Sequence, residues 1–291
     1  MHGVCGLILA GGTGSRLSPA TRVVNKHLLC LYDKPVIYYP ISTLMLAGIR
    51  DICIICTPES KSEFQKLLSD GKKFGVKFSY IVQPSPRGIA EAYSLARDFI
   101  NGRRSVLMLG DNILFGDNLG KKIKNCIDDD EKNYLFGCPV LDPKPYGVIS
   151  YSADDCVTMI EEKPLAPKSN LAAVGLYILN ADACSLVNEL RPSSRSELEI
   201  TDLLNLIKDK YNLRVSRLGR GYTWLDTGTP DGLLAAANLV ATIQDKQGYL
   251  IGCIEEVANL NGWVSEQQKT KLKNYKAKSS YDIYLKNLYE T

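Results

Sequence analysis

The sequence predicts an α/β protein whose strands and helices alternate around a mostly parallel sheet. In the first half of the chain, short apolar runs of strand length alternate with longer segments that have helical apolar spacing. From about residue 135, β-rich runs follow one another closely, and no long helix separates them until residue 182. Strands of about four to eight residues separated by helices of ten or more indicate βαβ units with helices on both faces of the sheet.

The elements of the first half follow in a regular order. The predicted strands are residues 4–10, 51–56, 76–82 and 105–109, and the predicted helices are residues 36–47, 60–70 and 89–100. Right-handed crossovers between such strands give an open, doubly wound sheet of the Rossmann-like type.

The second half predicts a β-rich extension of that sheet, or a small lobe against it. The predicted strands are residues 135–141, 147–151, 157–161, 172–179 and 214–218, and the predicted helices are residues 182–190, 199–210 and 230–247. We find no repeat and no sharp boundary, so we predict one mixed α/β domain over residues 1–250, with halves at about 1–135 and 136–230. Residues 251–291 are predicted to form a C-terminal helical segment and a basic tail.

The distribution of charge excludes several function classes. The chain carries 35 basic and 32 acidic residues, a net charge of +3. Residues 269–291 contain six lysines and two acidic residues, which leaves the first 268 residues at −1. A nucleic-acid binder with a broad basic face is therefore not expected. No apolar run approaches the roughly 20 residues that span a membrane, and the N-terminal residues do not resemble a signal peptide, so we expect a cytoplasmic protein.

Cysteine and histidine usage also narrows the chemistry. Nine cysteines are spread without a pattern, which is typical of a reduced, cytosolic chain. Cys53 and Cys56 lie in one apolar run where residues three apart point to opposite faces of a strand, so they are expected to fill the core. With only two histidines, a histidine metal centre or a Ser-His-acid triad has little material.

A glycine-rich turn after the first strand is the most informative segment. It reads Leu9-Ala10-Gly11-Gly12-Thr13-Gly14-Ser15-Arg16-Leu17. Exposed backbone N–H groups in such a turn are suited to bind a phosphate chain, and the guanidinium of Arg16 can donate two hydrogen bonds to phosphate oxygens. Arg16 and Leu17 stand where a dinucleotide fingerprint needs its third glycine, and the Gly-Lys-Ser/Thr of a P-loop is missing. Lys26 follows in a stretch without acidic residues.

The chain resembles the sugar-1-phosphate nucleotidyltransferases, and within them the members that use dTTP and glucose 1-phosphate. The resemblance rests on ordered blocks over about residues 4–265. These are the glycine-rich turn, Lys26, Tyr32-Asp33-Lys34-Pro35, Tyr38-Tyr39-Pro40, Gln83-Pro84-Ser85-Pro86, Leu109-Gly110-Asp111-Asn112, Tyr146-Gly147-Val148, Glu161-Glu162-Lys163-Pro164, Leu198-Glu199-Ile200-Thr201-Asp202 and Trp224-Leu225-Asp226-Thr227-Gly228-Thr229.

The resemblance implies a reaction between two polyanions that forms dTDP-glucose and pyrophosphate. The dTDP-glucose would serve deoxysugar and polysaccharide synthesis. Such phosphoryl chemistry needs positioning and cations and no covalent protein nucleophile. Arg16, Lys26 and Lys163 are the implied catalytic cations, with Arg16 on the departing β and γ phosphates and Lys26 bridging phosphates. Asp111 and Asp226 are the implied ligands of Mg²⁺, since paired carboxylates with phosphate oxygens commonly hold this ion.

The resemblance also divides the site into two ends. The implied nucleotide-binding residues are Leu9, Gly11, Gly12, Thr13, Gly14, Ser15, Gln83 and Gly88, the last two at the pyrimidine edge. The implied sugar-phosphate residues are Asn112, Tyr146, Gly147, Glu162, Val174, Arg195 and Trp224, with Arg195 and Lys163 on the phosphate and the backbone around Val174 on sugar hydroxyls. A homo-oligomer, typically a tetramer, is implied as well.

Five positions depart from the family pattern and leave the substrate pair open. Arg87 stands where Asp is usual, Glu91 and His27 where Gln is usual, Cys30 where Pro is usual and Val174 where Thr is usual. The alternatives are UTP or another sugar 1-phosphate, and a nucleotide-sugar-binding regulator without turnover. A nicotinamide-dependent dehydrogenase is disfavoured by the missing third glycine.

Overall fold

The computed structural model describes residues 3–273 and 277–290 and is organised around a nine-stranded mixed sheet. The strands are β1 Val4–Ala10, β2 Cys30–Leu31, β3 Lys34–Pro35, β4 Asp51–Cys56, β5 Lys77–Val82, β6 Arg104–Leu109, β7 Asn112–Gly116, β8 Asn133–Pro139, β9 Gly147–Tyr151, β10 Val157–Glu162, β11 Leu171–Leu179, β12 Leu213–Arg217 and β13 Tyr222–Asp226.

Helices cover the sheet and extend the chain beyond it. The α-helices are α1 Tyr38–Leu46, α2 Lys61–Leu68, α3 Ile89–Leu95, α4 Arg97–Ile100, α5 Leu119–Asp128, α6 Ile200–Lys210, α7 Pro230–Gln247, α8 Ile254–Leu260, α9 Glu266–Lys273 and α10 Ser280–Glu290.

The order of the strands creates a crevice beside β1. The main path of the sheet is β10-β9-β11-β6-β1-β4-β5, with β8 paired to β11 and β12 paired to β8. Strands β6, β1, β4 and β5 are parallel, whereas β11 runs antiparallel to β6. The chain adds β4 and β5 on one side of β1 and then crosses to place β6 on the other. Ligands of doubly wound sheets bind at such a reversal, outside the carboxyl ends of the strands.

The sheet is buried on both faces, which confirms the predicted α/β class. Alternate residues of β4 enter separate apolar clusters, with Ile54 and Cys56 on one face and Cys53 and Ile55 on the other. Cys53 and Cys56 therefore fill opposite sides of the core, as their spacing predicted, and both are free thiols. The β-rich half continues the same sheet, because β11 pairs with both β6 and β8.

Local side-chain bonds account for two differences from the predicted helices. The segment 89–100 divides into α3 and α4, and Ser94 Oγ donates to the carbonyl of Glu91 just before the break. The segment predicted as a helix at 182–190 is a 3-10 helix, Ala181–Glu189, in which Ser185 Oγ donates to the Asp182 carbonyl at 2.6 Å. Such bonds to nearby carbonyls compete with regular α-helical bonding. The sequence analysis did not predict β7 or α5.

The C-terminal segment packs on the domain through α8, because Ile254 and Val257 join the apolar cluster that includes Ile8 and Ile41, and α10 packs on α8. The Tyr281 hydroxyl donates to the Glu255 carboxylate at 2.6 Å, and the Tyr289 hydroxyl donates to the Glu255 carbonyl at 3.2 Å. Part of the predicted basic tail, residues 274–276 and 291, lies outside the described residues. None of the described helices combines the length and apolar character needed to cross a membrane.

Candidate active site

A cavity of about 690 Å³ opens where the strand order reverses. Sixteen of the residues singled out in the sequence line it: Leu9, Gly11, Gly12, Arg16, Lys26, Gln83, Gly88, Asp111, Asn112, Tyr146, Gly147, Glu162, Lys163, Arg195, Trp224 and Asp226. Thr13, Gly14 and Ser15 lie in the adjoining turn and are not among the lining residues. Val174 is fully buried in the core beneath the cavity, and its neighbours Ala173 and Gly175 form the wall.

The glycine-rich turn packs directly against Lys26. Gly14 has a φ of 65°, in the left-handed region that favours glycine. A Cβ on Gly12 would stand 3.0 Å from Lys26 Cε, and one on Gly14 would stand 2.8 Å from Thr21 Cγ2. The missing side chains thus let the turn and the lysine stem occupy one corner of the cavity.

Asp111 and Lys26 form an ion pair at the carboxyl end of β6. The Asn112 amide also donates to Asp111 Oδ1 at 3.0 Å. Burial would raise the pKa of Asp111, but the Lys26 ammonium, the His27 ring and the hydrogen bonds from Lys26 and Asn112 together outweigh it and hold this pKa at about 2. Burial lowers the pKa of the neighbouring His27 to about 3, so its ring is neutral at pH 7. Asp111 is therefore an ionised carboxylate beside one cation.

Asp226 reaches the same corner through the pairing of β13 with β7. In the antiparallel register Asp226 is opposite Asn112, and Thr227 donates through its N–H and its hydroxyl to the Asp111 carbonyl at 3.1 and 2.8 Å. The backbone N–H of Gly228 donates to Asp226 Oδ1 at 2.9 Å. Burial and the nearby negative charge of Asp111 raise the pKa of Asp226.

This carboxylate pair fits the magnesium ion that the family implies. Two half-buried carboxylates that repel each other favour a cation between them. Mg²⁺ at nucleotide sites takes one or two carboxylates together with substrate phosphates and water, so a third protein ligand is not required. The described residues contain no cluster of three or more His, Cys, Asp or Glu side chains that could hold a metal.

Trp224 and Asn112 order the wall opposite the glycine-rich turn. Trp224 Nε1–H donates to Asn112 Oδ1, and the N–H of Gly175 approaches the same oxygen at 3.4 Å. The Trp224 ring meets the Tyr146 ring edge-on, with centroids 4.8 Å apart. The Asn112 amide is thereby fixed with its NH₂ group toward Asp111.

Arg195 is held by Glu162 and by Glu199, a carboxylate to which the sequence analysis gave no role. Its guanidinium donates to both oxygens of Glu199 at 2.8 Å and to Glu162 Oε1 at 3.2 Å. Glu199 is only 7% exposed and also accepts from Ser193 Oγ at 2.7 Å. Lys163 Nζ lies 3.6 Å from Glu162 Oε1, and burial raises the pKa of Glu162. The signal for Glu199 was present, since it belongs to a block that carried the family resemblance.

Thr201, in the same block, also faces the cavity. Its hydroxyl is buried and has no hydrogen-bond partner among the described residues. A buried hydroxyl without a partner is costly unless a ligand supplies one.

At the far end of the cavity, the Gln83 amide is held by Glu91, which departs from the family pattern, and by Gly88. Its Nε2 donates to Glu91 Oε2 at 2.8 Å and to the carbonyl of Gly88 at 3.3 Å. Arg87 Nε lies 3.0 Å from Glu91 Oε1. The two exchanged charges at positions 87 and 91 therefore neutralise each other.

Comparison with known proteins places the chain in a family. The profile of the family described as nucleotidyl transferase matches residues 5–243. A Neisseria meningitidis glucose-1-phosphate thymidylyltransferase is 45% identical over 283 residues, which cover 97% of this chain and 98% of that protein. A Xanthomonas campestris glucose-1-phosphate thymidylyltransferase is 48% identical over 280 residues, covering 96% of this chain and 95% of that protein.

Solved structures agree with the sequence relatives. A Bacillus anthracis protein, provisionally assigned as a glucose-1-phosphate thymidylyltransferase and crystallised with sucrose, superposes with a TM-score of 0.75. It is 38% identical, and the match covers 81% of this chain and 95% of that one. A UDP-glucose pyrophosphorylase complexed with UDP-glucose shares the fold, with a TM-score of 0.74 at 23% identity and coverage of 83% and 99%. The resemblance derived from the motifs is confirmed: the chain belongs to the nucleotidyl transferase family.

Proposed function

We propose that this protein transfers the thymidylyl group of dTTP to glucose 1-phosphate, forming dTDP-glucose and pyrophosphate with Mg²⁺. An oxygen of the sugar phosphate attacks the α-phosphorus, and the bond from that phosphorus to the oxygen of the departing pyrophosphate breaks. The proposal adopts the activity named for relatives that match nearly the full chain at 45% and 48% identity. In deoxysugar and polysaccharide synthesis, such a product serves as a precursor.

One observation carries the proposal: one cavity brings four basic side chains together with the aspartates Asp111 and Asp226. Arg16, Lys26, Lys163 and Arg195 all line it, although residues 1–268 carry a net charge of −1. Two mutually repelling polyanions need positive charge at the point where they meet. The cations lie at two ends, with Arg16 and Lys26 beside the glycine-rich turn and Lys163 and Arg195 beside Glu162.

The nucleotide end would position and activate the triphosphate. The backbone N–H groups of the glycine-rich turn bind phosphate oxygens, and Lys26 leaves its contact with Asp111 partly or wholly to bridge them. Arg16 stabilises the charge that develops on the departing pyrophosphate, since a guanidinium forks two phosphate oxygens. Gln83 and Gly88 meet the edge of the pyrimidine.

Asp111 and Asp226 would hold the magnesium ion. When bound, this ion neutralises charge on the transferring phosphoryl group. The two carboxylates contribute negative charge at a fixed place, with the Asn112 amide orienting Asp111 and Lys26 paired with it until the triphosphate binds.

The sugar end would hold glucose 1-phosphate with its phosphate toward the nucleotide. Glu162 accepts from sugar hydroxyls, with Tyr146 and the backbone of Gly147 beside it. Lys163 and Arg195 bind the sugar phosphate. No protein nucleophile takes part, because positioning and charge compensation suffice for this transfer.

A direct assay tests the proposal. Purified protein with Mg²⁺ is incubated with dTTP, dUTP or UTP and with glucose 1-phosphate or an amino-sugar 1-phosphate, and pyrophosphate release is followed. We expect turnover with dTTP and glucose 1-phosphate, and none after Mg²⁺ is chelated. Absence of pyrophosphate release with every pair would overturn the proposal, and tight dTDP-glucose binding without release would instead indicate a regulator.

We also propose a cytoplasmic homotetramer, on the strength of the family resemblance. Light scattering coupled to size-exclusion chromatography tests the assembly, with a mass of four 32.2 kDa chains expected. A monomer at micromolar concentration would contradict it.

A further inference from the structure

The side-chain amide of Gln83 is oriented by contacts inside the protein. The oxygen and the NH₂ group of a glutamine amide have nearly the same shape, so its hydrogen-bond partners decide which of them faces a ligand. Gln83 follows β5 directly, and its side chain is only 6% exposed. Its amide therefore has few partners to choose from.

Both hydrogens of the Gln83 amide are used inside the protein. One points to Glu91 Oε2 at 2.8 Å and the other to the carbonyl of Gly88 at 3.3 Å. A carboxylate and a carbonyl only accept hydrogen bonds, so the flipped amide would place its oxygen against two other oxygens.

The remaining amide atom, Gln83 Oε1, lies beside the nucleotide turn. It would stand 2.8 Å from a Cβ on Gly11, a cavity-lining residue. No donor among the described residues reaches this oxygen, so it is available as an acceptor toward the cavity.

Arg87 holds the Glu91 carboxylate in place. Its Nε lies 3.0 Å from Glu91 Oε1, four residues along the chain. This leaves Oε2 of the same carboxylate for Gln83. Glutamine at position 91, as in the family pattern, could meet either orientation of the Gln83 amide, whereas glutamate meets only one.

Resting on the proposed function, we infer that Glu91 is a positioning residue that sharpens the preference of the base site for pyrimidines carrying a hydrogen on N3. Thymine and uracil offer an N3–H donor to Gln83 Oε1. Cytosine offers a bare N3 acceptor instead, and two facing acceptors leave both unpaired in a poorly hydrated site.

The test compares dUTP with dCTP in wild type and in Glu91→Gln. These nucleotides have the same sugar and lack the thymine methyl, so they differ only at the edge in question. We expect wild type to favour dUTP by at least about 100-fold in kcat/KM, and Glu91→Gln to reduce this ratio about 10-fold because the amide can flip. The dTTP to dUTP ratio should stay constant, since both bases carry N3–H.

A second variant and a binding measurement separate the possible failures. Arg87→Ala should shift the dUTP to dCTP ratio in the same direction by a smaller factor, because it loosens Glu91 without touching Gln83. A general folding defect would lower the apparent kcat/KM for both nucleotides equally and leave their ratio unchanged. An unchanged dUTP to dCTP ratio in Glu91→Gln, in turnover and in calorimetric binding, would overturn the inference about Glu91 but leave the proposed function standing. If wild type binds none of these nucleotides, the proposed function fails.

Discussion

Asp226, the last residue of β13, stands directly opposite Asn112, the first residue of β7. The two positions are 114 residues apart, yet this register puts Asp226 beside Asp111, the residue before Asn112. Thr227 reinforces the pairing through two hydrogen bonds to the Asp111 carbonyl. The proposed metal site thus depends on one antiparallel pair of strands outside the main sheet.

Replacing Asp111 tests this pair. Asp111→Ala should lower Mg²⁺-dependent pyrophosphate release by at least about 100-fold, because one of the two carboxylates and the partner of Lys26 are lost. Steady-state assays across a range of Mg²⁺ concentrations measure the effect. Asp117→Ala, at an exposed site beyond β7, is the matched control and should be near normal. Near-normal activity of Asp111→Ala would remove the metal assignment.

Glu199 is expected to act through Arg195 on binding of the sugar phosphate. Glu199→Gln keeps the size of the side chain but weakens the charged contact that holds the guanidinium, so KM for glucose 1-phosphate should rise about 10-fold. The KM for dTTP should change little.

Glu197→Gln is the matched control for that variant. Glu197 lies 3.8 Å from the same guanidinium but is more exposed, and exposed ion pairs contribute little. Equal effects of the two substitutions on KM for glucose 1-phosphate would contradict the positioning role of Glu199.

Gly88→Ala should destabilise the fold and close the base end of the cavity. Gly88 has a φ of 107° and a ψ of 166°, a conformation that is essentially restricted to glycine, and a Cβ there would stand 2.3 Å from the Leu198 carbonyl oxygen. We expect a loss of about 3 kcal/mol or more in the free energy of unfolding, measured by urea titration.

Gly102→Ala separates backbone strain from the steric clash. Gly102 also has a positive φ, 71°, but a Cβ there would meet nothing within 4 Å. It should cost about 1 kcal/mol in the free energy of unfolding. Equal losses for the two variants would show that contact with Leu198 is unimportant.

The buried Glu255 predicts a pH-dependent stability. Burial raises the pKa of Glu255 above its ordinary value of 4.5. A carboxyl whose pKa is higher in the folded state binds its proton more tightly there. Its contribution to stability is therefore present at low pH and is lost as the pH rises from 4.5 through the raised pKa of the folded state. Glu255→Gln should therefore be more stable than wild type at pH 8 by about 2 °C or more in Tm, and this gain should shrink toward pH 4.

The exposed Glu63→Gln controls for removal of one charge. Its Tm should follow wild type at both pH values. A Glu255→Gln gain that is the same at pH 4 and pH 8 would show that ionisation of Glu255 is not its cause.

Much of the architecture followed from local patterns. The apolar run ending in Gly11 predicted β1 with its correct bounds, and the spacing from Pro230 to Gln247 did the same for α7. These signals are periodic and local, so they survive in a single sequence. The break before α4 and the 3-10 helix at 181–189 were missed, because they depend on individual serine side chains that bond back to the chain.

The partners of the site residues could not be derived in the same way. The family resemblance singled out Arg195 and Gln83, but neither Glu199 nor the orienting role of Glu91 was assigned to them. The backbone around Val174 was expected at the sugar end, and its neighbours Ala173 and Gly175 do line the cavity. The Val174 side chain lies in the core, because alternate residues of β11 face opposite sides of the sheet.

The sequence by itself determined the doubly wound class, the glycine-rich turn, and the identity of the four cations and two aspartates that line one cavity. Only the tertiary structure decided that Asp226 meets Asp111, that Glu199 clamps Arg195, and that the Arg87–Glu91 pair turns the Gln83 amide. The reason is physical: strand and helix patterns arise from burial repeated over neighbouring residues, whereas these contacts join side chains through register and packing between distant segments.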